Sequence, residues 1–145
     1  MNKEKTDIES VVSSDNTVNQ IDPKVSGLKI LIVEDDETSE LFLRNAIKLF
    51  SREILSARTG VKAVEACRNN PDVDLILMDI KMPVTDGLEA TKQIRQFNKG
   101  VIIIAQTAFG LTGDQEKAIA AGCNDYISKP TKKDQLLELI QKYFL

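Results

Sequence analysis

The sequence predicts a doubly wound α/β domain with five strands, and three observations carry that prediction. Five short segments of strand length recur along the chain: Lys29–Val33, Ile54–Ala57, Leu75–Met78, Val101–Ala105 and Asp125–Ser128. Between them lie longer segments whose apolar residues fall at helical spacing. The strongest strand runs are apolar throughout rather than alternating, as strands covered on both faces are. Strict alternation of strand and helix implies a parallel sheet with right-handed crossovers and helices on both faces. No internal repeat period is present.

Each element follows from its residues. Residues 1–27 are rich in Ser, Asp, Asn, Thr, Lys and Glu and hold no aromatic. Such a composition buries too little surface to offset ordering entropy, so it is read as a polar tail or linker. The domain is placed at 28–145. The first strand stops abruptly at Glu34-Asp35-Asp36. Leu43, Ala46, Ile47 and Phe50 then recur at i, i+3, i+4 and i+7, one apolar helix face. Asp36 favours the positive end of that helix. After the second strand, Thr59 is a helix N-cap, with Val61, Val64 and Cys67 as the buried side and Pro71 closing the region. Leu75–Met78 runs into Asp79, with a Met82-Pro83 turn beyond it. Leu88, Thr91, Ile94 and Arg95 place the third helix. Thr112-Gly113-Asp114-Gln115 has capping-box form for the fourth, which Gly122 ends. Thr131 caps a last helix with Leu136, Leu137, Ile140 and Phe144 on its apolar face.

Composition removes several classes of function. At 42% hydrophobic and 28% charged, the chain has the balance of a soluble globular protein. Its 145 residues suffice for one domain with a core of its own. A net charge of −3 without a basic run points away from direct nucleic-acid binding. The longest apolar run, Val101–Ala105, is too short to span a bilayer, and the polar start is unlike a signal peptide, so a cytoplasmic location is expected. Cys67 and Cys123 are too few and too unpatterned for a disulfide framework or zinc site, and are read as small core residues. There is no histidine, which removes Ser-His-Asp catalysis, imidazole metal sites and a phosphohistidine in this chain.

The chemistry gathers at the strand ends. Glu34 and Asp35 follow the first strand, Asp79 ends the third, Thr107 follows the fourth and Lys129 the fifth. In a doubly wound sheet these positions share one crevice. Three carboxylates at close quarters repel, so either one takes up a proton or a cation sits among them. Mg²⁺, or Mn²⁺ in its place, suits such hard oxygen ligands. A cation and a lysine together neutralise a transferring phosphoryl group. An Asp carboxylate is an accepted nucleophile that forms an acyl phosphate, and a threonine hydroxyl can then bond the arriving oxygen. Asp79, the central acid and alone on its strand, is the acceptor on these grounds.

The same residues carry a family resemblance. Glu34-Asp35, Asp79 followed by Lys81-Met82-Pro83 and Asp86-Gly87, then Thr107-Ala108 and Lys129-Pro130 occur in the order and spacing of a response regulator receiver domain of two-component systems. Residues 28–145 resemble that family, which implies a flavodoxin-like (βα)5 sheet of strand order 2-1-3-4-5. The resemblance implies that Asp79 accepts a phosphoryl group from a partner's phosphohistidine, on a histidine kinase or histidine phosphotransfer protein. It implies metal ligation by Glu34, Asp35, Asp79 and the Lys81 carbonyl, a catalytic set of Asp79, Lys129 and Thr107, and a cis Lys129–Pro130 peptide. Thr107 and Tyr126 resemble the switch pair that changes the face of helix four, strand five and helix five; Tyr126 also reads as a tyrosine packed on the last helix. Glu34 stands where Asp is more usual, and Phe109 and Lys81 flank the site where they would affect water access.

Other classes fit less well. A haloacid-dehalogenase-like phosphohydrolase also uses an Asp nucleophile, but needs a second acid two residues on, where Lys81 stands, and a cap insertion. A flavodoxin-like cofactor binder would meet repulsion between its phosphate and the acidic crevice. A receiver that is never phosphorylated is a further alternative. The expected role is that of a signalling module, not an enzyme in its own right, with no direct contact to nucleic acid or membrane. The stretches Met78–Thr91 and Ala121–Tyr126, with the polar leader, look most like the C-terminal receiver of a hybrid sensor kinase, in which case the parent chain could be membrane-tethered. A stand-alone shuttle is the alternative.

Overall fold

The computed structural model describes residues 25–81, 86–108 and 113–145. Five parallel strands form one sheet: β1 (Leu28–Val33), β2 (Ser51–Ala57), β3 (Leu75–Asp79), β4 (Ile102–Thr107) and β5 (Asp125–Ser128). Their order across the sheet is β2-β1-β3-β4-β5, the 2-1-3-4-5 arrangement expected. The helices between and after them are α1 (Glu37–Ile47), α2 (Gly60–Asn69), α3 (Gly87–Phe97), α4 (Asp114–Ala121) and α5 (Lys133–Phe144).

The fully buried β1 and β3 separate two apolar layers. On one face, Ala63, Val64 and Cys67 of α2, Ala90 and Ile94 of α3 and Ala118 of α4 pack on Leu31, Val33, Ile76 and Met78. On the other, Leu43 and Ile47 of α1 and Leu136, Leu137 and Ile140 of α5 cover Ile30, Ile32, Leu75 and Leu77. Strand residues alternate between these layers because successive side chains point to opposite faces. Both cysteines are free and buried, as read. The central strands therefore end on a rigid platform, which is what places a strand-end carboxylate reproducibly.

Several boundaries differ from expectation for identifiable reasons. Val61 is 68% exposed; the inward face of α2 is Gly60, Ala63, Val64 and Cys67, at the i, i+3, i+4, i+7 spacing. The second strand starts earlier, at Ser51, because parallel pairing with β1 extends through polar Ser51 and Glu53. Phe50 is buried but belongs to a 3₁₀ turn, Lys48–Phe50, after α1. Asp36 and Thr59 cap α1 and α2 as expected, accepting from the Ser39 and Lys62 amides at 2.8 and 3.1 Å. Thr131 does not cap α5: the N-cap is Lys132, without a side-chain bond, and the Thr131 hydroxyl donates to Gln106 instead. The α4 N-cap is Gly113 at φ 90°, and Thr112 lies outside the described residues. So do the Met82-Pro83 turn, Phe109 and residues 1–24. Val25, assigned to the tail, is 2% exposed and packs with the α1–α5 layer.

One close approach sets the start of α3 against the end of the central strand. A Cβ on Gly87, the first residue of α3, would meet the Asp79 carbonyl oxygen and lie 2.7 Å from Ile80 Cα. Both contacts are backbone and cannot rotate away. Gly87→Ala is expected to cost about 2 kcal/mol, as overpacking does; urea unfolding of the two proteins, compared by midpoint, checks this.

Candidate functional site

Register builds the site before side chains do. Val33 pairs with Met78, and Asp79 pairs with Gln106, so Glu34 and Asp79 follow one another around the same edge. Thr107 pairs with Ser128, and the Lys129 amide continues that ladder by donating to the Thr107 carbonyl at 2.7 Å. The three acids, the threonine and the lysine thus meet although they lie far apart in sequence.

Asp79 is 1% exposed, and its carboxylate makes two hydrogen bonds among the described residues. Its Oδ1 accepts from the Lys81 amide at 3.0 Å, and its Oδ2 accepts from Lys129 Nζ at 3.0 Å. Lys129 Nζ also lies 3.4 Å from Glu34 Oε1, an ion-pair distance that does not make a hydrogen bond. Glu34 is 2% exposed; its Oε2 accepts from the Asp36 amide at 3.2 Å, while Oε1 has no hydrogen-bond partner among the described residues. Asp35 is half-buried, and Arg58 Nη1 donates to its carbonyl at 3.0 Å. Carboxylate oxygens of Glu34, Asp35 and Asp79 all lie within 4.8 Å of one another.

Charge balance separates these acids from those elsewhere. At the opposite edge of the sheet, Asp72 bonds both Lys29 and Arg52, which hold its carboxyl down at about 2. In the crevice three acids share one lysine. Burial, then the charge of Asp79, pushes Glu34 up to about 7 against the pull of the Asp36 amide and Lys129. Burial acts to lower Lys129, but its hydrogen bond to Asp79 and the two acidic charges outweigh this and raise it. A cluster of hard oxygens with an uncompensated charge and an unpaired buried Oε1 fits Mg²⁺ or Mn²⁺.

The two residues expected as the switch pair lie on neighbouring strands. Thr107 is 1% exposed and its Oγ1 has no partner among the described residues, an open donor in a buried place. Tyr126 lies on β5 opposite Ala105 and packs with the α2–α4 layer. Lys81 is exposed, and Lys129–Pro130 is cis as expected. Two residues escaped the sequence reading: Arg58, a charge in an exposed loop, and Gln106, a polar residue buried at the end of the apolar fourth strand. Only the latter broke a pattern, and so could have been noticed.

A doubly wound sheet whose carboxyl edge gathers three acids, a lysine and a buried hydroxyl defines an α/β domain of flavodoxin-like fold with an acidic strand-end crevice. The chain belongs to the response regulator receiver domain family, whose model matches residues 30–141. It is a receiver domain of two-component signalling. The polar-differentiation response regulator DivK of Brucella ovis is 37% identical over 116 residues, covering 79% of this chain and 94% of the relative. The magnesium-bound receiver domain of sensor histidine kinase PA1611 from Pseudomonas aeruginosa is 36% identical at TM-score 0.72, over 82% of this chain and 98% of that one. A chain from the co-crystal of the Saccharomyces cerevisiae phosphotransfer protein Ypd1 with the Ssk1 receiver domain is 32% identical at TM-score 0.75, over 83% and 90%. The chemotaxis protein CheY4 of Vibrio cholerae, 24% identical at TM-score 0.74 over 83% of this chain and 100% of that one, shares the flavodoxin-like fold. No helix among the described residues is long and apolar enough to cross a membrane.

Proposed function

We propose that the protein is the phosphoacceptor of a phosphorelay, taking a phosphoryl group on Asp79 from the phosphohistidine of a histidine kinase or phosphotransfer protein. The observation that carries this is the buried Asp79 carboxylate held by Lys129 and the Lys81 amide, beside two further acids. An Asp79 oxygen attacks phosphorus, the phosphorus–imidazole nitrogen bond breaks, and the histidine leaves with its electron pair. Lys129 offsets charge that builds on the phosphoryl oxygens. Glu34, Asp35, Asp79 and the Lys81 carbonyl would hold Mg²⁺ or Mn²⁺, which when bound screens the same negative charge.

The phosphoryl group adds about −1.5 to −2 charge and strong acceptors at neutral pH. The unpaired Thr107 hydroxyl supports its role as the responding donor, with Tyr126 as the second switch residue and the α4–β5–α5 surface as the face that changes. The role is signalling by a domain spanning residues 28–145, not turnover of a free substrate. Titration with beryllofluoride and Mg²⁺, followed by amide NMR, is expected to move Thr107 and Lys129 first. Titration that leaves both in place would overturn the reading.

A hybrid histidine kinase as the parent chain is the first reading, supported by the Met78–Thr91 and Ala121–Tyr126 stretches and the likeness to the PA1611 receiver. A stand-alone shuttle is the second reading, favoured by the DivK relative, which this chain covers almost end to end. Whether the adjoining coding sequence encodes a kinase core decides between them.

A further inference from the structure

Gln106 follows the apolar run of β4 and is polar yet only 3% exposed. Its backbone pairs with Asp79, and its carbonyl accepts from the Ile80 amide at 3.4 Å. Its side chain points to the face opposite Thr107, where Oε1 accepts from the Thr131 hydroxyl at 3.1 Å. A hydroxyl both donates and accepts, so the link forms in either orientation of the amide. Thr131 lies two residues past Lys129. One residue therefore touches the Asp79 strand with its backbone and the lysine loop with its side chain.

The loop needs such a hold. Lys129 N to Thr107 O fixes where it leaves β5, but not its course beyond Pro130. Between that course and α1 lies a cavity of about 250 Å³, bordered by Ser39, Phe42, Leu43, Gln106, Pro130 and Thr131. Across its rim the bond from Thr131 to Gln106 is a directional tie on that course. Gln106 also serves stability poorly: its Nε2 is buried without a partner among the described residues. A leucine would fill the same space without an unpaired amide.

We infer that Gln106 is a positioning residue for Lys129, fixing the loop through Thr131 so that the ammonium falls between Glu34 and Asp79. This rests on Asp79 being the phosphoacceptor. The tests are Gln106→Leu, Thr131→Val and Thr131→Ser, each assayed for acetyl-phosphate labelling at saturating Mg²⁺, for urea unfolding, and for the Lys129 ¹⁵Nζ resonance without metal. Gln106→Leu and Thr131→Val are expected to slow labelling roughly tenfold, as misplacement of a catalytic group does. Both should shift the ammonium resonance, with the unfolding midpoint of Gln106→Leu unchanged or raised. Thr131→Ser should restore wild-type behaviour. Wild-type labelling rates with an unmoved Lys129 resonance, or slowing that merely follows lost stability, would overturn the inference. Should Gln106→Leu not fold, Thr131→Val at its half-buried loop position decides alone. A wild-type protein that takes no label fails earlier, at the acceptor reading itself.

Discussion

Asp79→Asn is expected to abolish covalent phosphoryl uptake, from acetyl phosphate and from a phosphorylated partner alike. An amide oxygen is a poor nucleophile and cannot form the acyl phosphate, whereas the substitution keeps the shape and the Lys81 amide contact. The fold should survive, because removing one of three crowded charges relieves repulsion within the cluster. Glu34 should respond too: the charge of Asp79 is the second cause of its raised pKa, so its titration moves down in the variant. The measurement is hydroxylamine-labile label on intact protein, with the Glu34 carboxyl followed by ¹³C NMR. Label persisting in the variant would transfer the acceptor role to Glu34 or Asp35.

The fold was legible because each level of the sequence agreed with the next. Apolar runs set the strands, 3.6-residue spacing set the helices, and strict alternation set parallel pairing. Individual boundaries were less legible where tertiary pairing overrode local preference. Ser51 and Glu53 do not read as strand, yet β1 supplies their partners. Val61 reads as core from its type alone, while the smaller Ala63 takes the inward position. Thr131 has cap chemistry, but Gln106 from another strand claims its hydroxyl.

The site was legible for a different reason. Charged residues stand where apolar strands stop, and a parallel sheet brings those ends together, so topology alone assembles Glu34, Asp35, Asp79 and Lys129. Supporting contacts stay hidden at that level. Arg58 to the Asp35 carbonyl and Gln106 to Thr131 depend on side-chain reach across loops, which no spacing rule encodes.

The metal-free protein is expected to lose stability as pH rises from about 4.5 to about 7, and Mg²⁺ to reverse that loss. Glu34 carries the sign. Its folded pKa of about 7 lies above its ordinary value of 4.5, so the folded state holds a proton that the unfolded state releases across this interval. The contribution is fully present below 4.5 and disappears as pH passes 7, worth at most about 3 kcal/mol at 1.36 kcal/mol per unit. The chain has no histidine, and burial pushes Cys67 up to about 11. The lowered acids, Asp36, Glu40, Asp72 and Asp125, have the opposite sign and act as pH falls below about 4. Bound Mg²⁺ requires the ionised carboxylates, so its stabilisation should grow over the interval in which the free protein weakens. Urea midpoints at about pH 5, 6 and 7.5, with and without Mg²⁺, read both effects. Glu34→Gln, which keeps the side chain's size and cannot ionise, should flatten the metal-free slope and blunt the Mg²⁺ response. An unchanged slope in that variant would place the titrating group elsewhere.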